Sequence, residues 1–193
     1  MLSANHPAQF PPDYGSEVAF AGRSNTGKSS VINAVTGTRA LARVSKTPGR
    51  TQLINFFAVA QDMRLVDLPG YGYAEVSGTM RQHWARLTTA YFNDRQSLQG
   101  MILVTDIRRQ MTEYDEQMLA WSLERRIPVH ILLNKCDKLA HSVAKQALVA
   151  VTKAIEQQAA SVQLFSALKK TGIAQVQAQL DEWLIKKRKA PDC

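Results

Sequence analysis

Cysteine is scarce in this chain of 193 residues, which contains only Cys136 and Cys193. Two cysteines cannot form the disulfide framework of a small secreted domain, so we expect a protein of the reducing cytoplasm. The four histidines are scattered along the chain without the spacing of zinc ligands. The sequence therefore argues against a secreted disulfide scaffold and against a zinc site.

Long hydrophobic runs are also missing. Residues 1–10 have neither a basic segment nor an apolar core, so we do not expect them to form a secretory signal. The longest apolar runs, such as 101–104 and 131–133, have the length of strands and fall far short of the ~20 residues of a membrane-spanning helix. We therefore expect no integral membrane contact.

Acidic residues are outnumbered by basic ones. The chain has 24 Lys and Arg against 16 Asp and Glu, a formal net charge of +8. Such a charge favours a polyanionic partner, either nucleic acid or an anionic membrane surface, although it can also serve solubility alone. Hydrophobic residues make up 45% of the chain, which is typical of a globular domain rather than a disordered one.

Short apolar runs alternate with helical stripes along the chain. Strands are predicted at residues 18–21, 54–60, 63–66, 101–104, 129–133 and 162–165. Helices are predicted at 28–35, 80–91, 111–121, 143–155 and 173–184. Because apolar strands separated by helices indicate a sheet covered on both faces, we predict a three-layer α/β fold. Its six-stranded sheet is expected to be mostly parallel, with one antiparallel edge strand from the hairpin at 54–66.

The first segment of the chain differs in composition from the rest. Pro7, Pro11 and Pro12 make it aperiodic, and we predict an N-terminal tail over residues 1–16. A single domain is predicted over residues 17–189, followed by a C-terminal tail at 190–193. The length of the chain fits one ordinary domain with its own core.

The first motif that carries chemistry follows the first predicted strand and opens the first predicted helix. It reads Gly22-Arg23-Ser24-Asn25-Thr26-Gly27-Lys28-Ser29 and fits the pattern G-x-x-x-x-G-K-[ST]. Its glycines let the backbone wrap around phosphates, whose charge is received by successive N–H groups and the helix N-terminus. Lys28 is predicted to reach the β- and γ-phosphates, and the Ser29 hydroxyl to bind Mg²⁺.

The second motif, Asp67-Leu68-Pro69-Gly70, ends the strand predicted at 63–66. An acid at this position can hold Mg²⁺ through a water molecule, and the Gly70 N–H can meet a γ-phosphate. The same four residues also suit a plain turn. Their place on a strand expected to lie beside the first one favours the phosphate site.

The third motif, Asn134-Lys135-Cys136-Asp137, selects the base. A carboxylate at Asp137 accepts hydrogen bonds from guanine N1–H and the 2-amino group, whereas adenine would leave it unpaired. Asn134 can serve O6 and N7 of the base or tie loops together, and the stem of Lys135 can cover the base plane. Cys136 occupies the variable position. Asp137 can alternatively cap a helix, and both roles are compatible.

A fourth, weaker motif follows the last predicted strand. It reads Ser166-Ala167-Leu168, and its small residues let a backbone N–H approach guanine O6. Four motifs in this order predict a GTPase of the P-loop class, which also needs a threonine that closes on Mg²⁺ and the γ-phosphate. The basic loop before the hairpin offers Thr47 and Thr51, and spacing does not choose between them.

Taken together, these strings resemble the EngB family of bacterial GTPases, in the wider group of Era, EngA and TrmE. The segments that carry the resemblance are Gly22–Ser30, Lys46–Gln52, Asn55–Phe57 and Asp67–Ala74, and the last is the most discriminating. The resemblance extends from about Glu17 to Trp183. It implies a Ras-like G domain that binds and hydrolyses GTP with Mg²⁺ in assembly of the large (50S) ribosomal subunit, with a linked need for normal cell division and septation.

The same resemblance implies roles for individual residues. Thr51 rather than Thr47 becomes the Mg²⁺-sensing threonine, and Lys28, Thr51 and Gly70 become the catalytic residues. Mg²⁺ is assigned to Ser29, Thr51 and, through water, Asp67. The implied nucleotide contacts also include Ser30, Gly49, Arg50, Gln52, Leu53 and Phe165.

Hydrolysis raises a question, because Tyr71 stands where Ras-like enzymes use a glutamine to orient the attacking water. A phenol titrates near ~10 and is a poor base at neutral pH, so we expect slow unaided turnover. Asn25 stands where related GTPases hold K⁺ beside the phosphates, although it also suits the loop conformation for its own sake. K⁺ or the assembling ribosome is the expected activator.

Basic residues support a ribosomal partner. Arg39, Arg43, Lys46 and Arg50 crowd the loop that holds both threonines, and residues 186–189 are all Lys or Arg. We therefore expect the protein to contact the large subunit or its rRNA. Its other expected partners are GTP and GDP, and we expect it to be monomeric. Two alternatives are a nucleotide-gated ribosome- or RNA-binding module with incidental hydrolysis and an interaction protein of the division septum.

Overall fold

The computed structural model describes residues 1–43, 53–71, 78–109 and 111–185. Its strands are β1 (Leu2–Ala4), β2 (Ser16–Ala21), β3 (Ile54–Ala60), β4 (Met63–Asp67), β5 (Leu98–Asp106), β6 (Val129–Asn134) and β7 (Ala160–Leu164). Its α-helices are α1 (Lys28–Thr36), α2 (Gly78–Asp94), α3 (Glu113–Glu124), α4 (His141–Ala154) and α5 (Ile173–Ile185). Single 3₁₀ turns occur at Pro7–Gln9, Ile107–Arg109 and Cys136–Lys138.

The strands form one sheet in the order β1-β3-β4-β2-β5-β6-β7. Strands β4, β2, β5, β6 and β7 run parallel, while β3 runs antiparallel to both of its neighbours. The predicted α/β fold with a mostly parallel sheet is confirmed. The sheet has seven strands rather than the expected six, because residues 2–4 pair with residues 54–56 on the outer side of β3.

The segment expected to be a tail is therefore part of the folded domain. Ala4 is buried, and Phe10 packs on Phe56 and Tyr91 with ring centroids 5.7 and 6.0 Å away. A three-residue strand followed by prolines is too short to show an alternating pattern, which explains why the sequence did not reveal it. The predicted tail over residues 1–16 is corrected accordingly.

Two hydrophobic cores cover the two faces of the sheet. Alternate residues of each strand point to opposite faces, so Val18 and Phe20 of β2 enter one core and Ala19 enters the other. Helices α1 and α5 cover the first face, and the remaining three helices contribute to the second. Both faces are dry, which gives the predicted three layers.

The parallel strands place the motifs together. Strands β2, β4, β5, β6 and β7 all end at one edge of the sheet, and each of the four motifs starts at or just after such an end. Ligands of open α/β sheets bind at this carboxyl edge. None of the helices in the described ranges is long and apolar enough to cross a membrane.

Candidate functional site

The phosphate-loop motif forms the turn between β2 and the N-terminus of α1. Gly27, the residue before the helix, has φ 95°, a left-handed conformation that favours glycine. A Cβ added there would lie 2.6 Å from Asn134 Nδ2. Among the described residues no side chain caps α1, so its first N–H groups remain directed at the loop. The turn has the backbone donors that an anion requires.

Lys28 and Asp67, predicted to serve phosphates and Mg²⁺, form an ion pair with each other. Both side chains are buried. Strand β4 lies beside β2, so the end of one strand faces the start of the helix that follows the other. The structure thus joins the first two motifs at one point.

The oxygen atoms at this point suit Mg²⁺. Asp67 offers a carboxylate, and Ser29 follows Lys28 on α1 with a hydroxyl. Within the described ranges there is no cluster of three or more His, Cys, Asp or Glu that could hold a metal without further ligands. Mg²⁺ is commonly bound by one or two protein oxygens together with substrate phosphates, and these residues fit that pattern.

The second motif is also joined to the phosphate loop through its backbone. The Ser24 N–H donates to the Tyr71 carbonyl at 2.9 Å. Gly70 packs so closely on the loop that an added Cβ would lie 3.2 Å from Ser24 Cα. The side chain of Leu68 is buried in the core and contributes packing rather than chemistry.

The Tyr71 side chain points away from the phosphate loop. Its ring is buried, and its hydroxyl donates to Asp115 Oδ1 on α3 at 2.5 Å. Burial, reinforced by the Asp115 charge, raises the pKa of the Tyr71 phenol well above its usual value. Asp115 also accepts from the Thr112 N–H and hydroxyl at the start of α3. Tyr71 therefore braces α3 against the second motif.

Asn134 ties two loops together, which is one of the two roles open to it from sequence. Its Nδ2 donates to the Thr26 carbonyl at 2.7 Å. The residue is 2% exposed, and its Oδ1 has no hydrogen-bond partner within the described part of the chain. The third motif is thereby attached to the first across more than a hundred residues of sequence.

Asp137 is held by the fourth motif. The Ser166 hydroxyl donates to Asp137 Oδ1 at 2.5 Å. This hydrogen bond is the main reason why the pKa of Asp137 lies below its usual value, so the carboxylate stays ionised. The helix-capping alternative is wrong, because Lys135 and Ala140 occupy the cap positions of the following 3₁₀ turn and of α4.

A cavity of about 510 Å³ connects the phosphate loop with Asp137. Its lining residues are Gly27, Ser30, Asn33, Ala34, Arg39, Asn134, Lys135, Asp137, Lys138, Ala167 and Leu168. The volume lies within the usual range for small-molecule sites. Of the residues predicted for the base and the phosphate loop, six line this space: Gly27, Ser30, Asn134, Lys135, Asp137 and Ala167.

Several predicted residues take other positions. The side chain of Phe165 is fully buried, and only its carbonyl takes part, accepting from the Cys136 N–H at 3.1 Å. Cys136 packs against the hydrophobic core. Leu53 is half-buried and does not border the cavity. Thr47 and the predicted Gly49, Arg50, Thr51 and Gln52 lie outside the described residues.

Sequence reasoning missed three residues that line the cavity, Asn33, Ala34 and Lys138, and assigned Arg39 to a ribosomal partner rather than to the nucleotide. Leu168, the third residue of the fourth motif, also lines the cavity and is 71% exposed. Asn33 and Ala34 face the cavity because they lie one to two turns beyond Ser29 on α1.

Comparison with known proteins agrees with this geometry. A family model described as "50S ribosome-binding GTPase" matches residues 17–135. The probable GTP-binding protein EngB of Nitrosococcus oceani is 55% identical over 94% of this chain and 92% of its own. The probable GTP-binding protein EngB of Coxiella burnetii is 48% identical over 95% of this chain and 90% of its own.

Solved structures show the same fold. The crystal structure of a probable GTP-binding protein EngB has a TM-score of 0.70 at 20% identity, covering 89% of this chain and all of that one. The crystal structure of an Aquifex aeolicus Era variant bound to GDP·AlF₄⁻ also has a TM-score of 0.70, at 18% identity, covering 87% of this chain and 56% of that one.

Proposed function

Because this chain belongs to the EngB family of GTP-binding GTPases, we propose that it acts as a GTP-dependent switch in assembly of the large ribosomal subunit. The observation that carries the nucleotide part is the ionised Asp137, fixed by Ser166 at one end of a cavity that reaches the phosphate loop. Guanine offers two donors to a carboxylate, and adenine offers none that match.

Isothermal calorimetry with GDP and ADP tests the base preference. We expect tight GDP binding and ADP binding weaker by at least about a hundredfold, since adenine would leave the carboxylate unpaired. Inosine diphosphate, which lacks the 2-amino group, should fall between the two. Equal affinity for GDP and ADP would contradict the proposal.

The phosphates and Mg²⁺ are assigned to the ion-paired residues. Lys28 turns to the β- and γ-phosphates, while Ser29, Asp67 and Thr51 hold Mg²⁺, with Asp67 acting through water. When bound, Mg²⁺ neutralises charge that develops on the phosphate oxygens. Replacing Lys28 by Ala removes the phosphate contact, and loss of GDP binding with Mg²⁺ present is the expected result in the same calorimetric assay.

Unaided hydrolysis is proposed to be slow. The Tyr71 hydroxyl is engaged by Asp115 and its pKa is raised, so it supplies no base to an attacking water. Single-turnover rates in KCl and NaCl at equal ionic strength test whether K⁺ is the activator. Asn25 has φ 65°, which fits its alternative role as a loop-conformation residue, so equal rates in both salts would support that role. Turnover of several per second without any activator would contradict slow hydrolysis.

The ribosomal part of the proposal is supported by the match to a family of 50S ribosome-binding GTPases and by the net charge of +8. Depletion of the protein from cells should lead to accumulation of immature large subunits, seen in sucrose gradients. Binding to purified subunits should weaken steeply with salt, because phosphate contacts release counterions. Normal subunit profiles after depletion would contradict this role. A monomer in the cytoplasm, with a linked need for normal cell division and septation, completes the proposal.

A second candidate is a nucleotide-gated ribosome- or RNA-binding module in which hydrolysis is incidental. The observation that favours it is the inward position of Tyr71, which leaves the usual glutamine position without a catalytic side chain. Single-turnover GTP hydrolysis with and without large subunits separates the two. Strong acceleration supports the GTPase switch, and an unchanged rate supports the binding module.

A further inference from the structure

The carboxylate of Asp106, at the end of β5, lies between two cations next to the candidate site. Asp106 Oδ2 accepts from Arg108 Nη2 at 2.6 Å and from Lys135 Nζ at 2.9 Å. Asp106 Oδ1 accepts from Arg108 Nε at 2.9 Å. The Asp106 side chain is 5% exposed, whereas that of Arg108 is 45% exposed. The Asp106 carboxylate is therefore fixed. Because the Lys135 side chain is 28% exposed, its ion pair with Asp106 is more enclosed than that of Arg108.

Lys135 connects this acid to the phosphate loop. Its ammonium also donates to the Asn25 carbonyl at 2.6 Å. A Cβ added at Gly27 would lie 3.8 Å from Lys135 Cε, so the lysine stem passes over the loop. Lys135 itself has φ 64°, a left-handed conformation that directs the chain from β6 into the 3₁₀ turn. The lysine is thus held at its backbone, along its stem and at its ammonium.

We propose that Asp106 is a positioning residue that orders Lys135 for nucleotide binding and so couples the base pocket to the phosphate loop. This inference rests on the proposed function, because Lys135 is the residue predicted to cover the base. A lysine side chain is flexible, and ordering it during binding costs entropy. A fixed carboxylate at the far end of the side chain pre-orders it before the nucleotide arrives.

The Asp106 carboxyl is ionised at neutral pH. Burial alone would raise the pKa of this carboxyl, but hydrogen bonds from Arg108 and Lys135 outweigh burial and hold it far below its usual value. Its ion pair with Lys135 is therefore present before a nucleotide binds, whereas the Asp137 carboxylate is proposed to receive donors from the base.

The competing explanation is a local brace. Asp106 also accepts from the Arg108 N–H at 3.2 Å, so it stabilises the 3₁₀ turn that follows β5. If that were its whole role, removing Arg108 would reproduce the effect of removing the Asp106 charge. If Asp106 acts through Lys135, removing Arg108 has the smaller effect.

A double-mutant cycle on the full chain distinguishes these roles, with release of fluorescent mant-GDP followed by stopped flow. Asp106→Asn removes the charge and keeps the shape, and Lys135→Met removes the ammonium and keeps an apolar stem. Each single variant should release mant-GDP about tenfold faster than the parent, the typical effect of a lost charged hydrogen bond. The double variant should be no faster than Lys135→Met alone, because the two residues act as one unit.

Controls keep the result specific. Arg108→Ala should accelerate release less than Asp106→Asn does, and Asp181→Asn, on an exposed position of α5, should leave release unchanged. If Asp106→Asn does not fold, Asp106→Glu replaces it in the same cycle. Glutamate keeps the negative charge but moves the carboxylate away from its present position by one methylene group.

Three outcomes overturn the inference: parent-like release from Asp106→Asn, fully additive effects in the cycle, or an Arg108→Ala effect equal to that of Asp106→Asn. A parent chain that binds no mant-GDP overturns both this inference and the proposed function. Tight binding with unaffected variants overturns only the inference.

Discussion

The two ends of the parallel sheet use buried charge in opposite ways. At the amino end, Glu17 is fully buried and accepts from Arg95 at 2.6 and 2.9 Å, from Arg64 at 2.9 Å and from the Tyr91 hydroxyl at 3.1 Å. Arg95 also donates to the Pro11 carbonyl at 2.7 Å. This cluster ties the N-terminal segment, β2, β4 and the end of α2 into one network.

At the carboxyl end Asp137 borders a cavity of about 510 Å³, and the Lys28–Asp67 ion pair lies at the neighbouring phosphate loop. Lys28 pairs with Asp67, and Asp137 has only the Ser166 hydroxyl and, at 3.7 Å, the Lys138 ammonium among the described side chains. The number of internal partners is what differs. Glu17, whose oxygens accept from Arg64, Tyr91 and Arg95, suits a stabilising role. Asp137, which has few partners and lies beside a cavity, suits ligand binding.

Replacing Asp137 by Asn should have the largest effect of the changes that test this comparison. An amide presents a donor to the guanine N1–H and 2-amino group, so GDP affinity should fall by at least about a hundredfold. Xanthosine diphosphate should gain affinity, since its C2 carbonyl accepts from the amide. Calorimetry measures both affinities, and thermal unfolding should shift little. A large loss of stability would show that this end, too, is built for stability.

Replacing Glu17 by Gln tests the other end. The change removes the carboxylate shared by two enclosed guanidinium groups and leaves Arg95 the more distant Asp13 carboxylate at 3.6 Å. The unfolding free energy should fall by about 3 kcal/mol. Urea unfolding measures the loss, and Glu156→Gln, an exposed acid next to the end of α4, is the matched control. GDP affinity should be unchanged in both variants. A parallel fall in affinity would mean that the two ends are not independent.

Tyr71 is an exception at the carboxyl end, and Tyr71→Phe measures how far it behaves like the amino end. Loss of the hydroxyl removes one hydrogen bond from the buried Asp115, so stability should fall by about 1–2 kcal/mol. Unaided GTP turnover should stay the same. Tyr114→Phe is the control, because the Tyr114 ring lies 6.3 Å from that of Tyr71 but is 46% exposed. A rate change confined to Tyr71→Phe would place its hydroxyl in catalysis.

The smallest expected effect is that of Ser166→Ala on pH dependence. The pKa of Asp137 lies below its usual 3.8 in the folded chain, chiefly because of Ser166. The contribution of the Asp137 carboxylate to stability and to GDP affinity is therefore complete above pH 3.8 and declines as pH falls through the lowered value. Without Ser166 the decline should start at a higher pH, and affinity at neutral pH should drop by less than about tenfold.

GDP titrations between neutral and acidic pH compare the affinity of the parent with that of Ser166→Ala. Superimposable pH profiles would show that Ser166 does not tune Asp137. Ala167→Ser provides a control in the same loop, because it adds a hydroxyl without removing that of Ser166.

The sequence was sufficient for the order of the motifs and for their meeting point. Motifs after Ala21, Val66, Leu133 and Phe165 must converge, because parallel strands end at the same edge of a sheet. The glycines and lysine of the first motif then indicated the phosphate end of the site, and the carboxylate of the third motif indicated the base end. These inferences need only local patterns and one rule of topology.

Side-chain directions could not be predicted in the same way. Nothing local states that Tyr71 reaches Asp115, that Asn134 reaches Thr26 or that Asp106 reaches Lys135, since each pair is separated by 29 to 108 residues. Strand β1 was missed for a different reason, because three residues carry too little pattern. Long-range side-chain pairs and very short strands are where reasoning from sequence ends.

Strand β1 also has a practical consequence for handling this protein. It covers the outer hydrogen-bonding edge of β3, and Ser3 adds a side-chain bond to Asn55 at 2.7 Å. A purification tag fused directly ahead of Leu2, or a trimmed N-terminus, would disturb that pairing and expose a strand edge on which other molecules can aggregate. Affinity handles and labels therefore belong at the other terminus, or behind a spacer that leaves residues 2–4 paired.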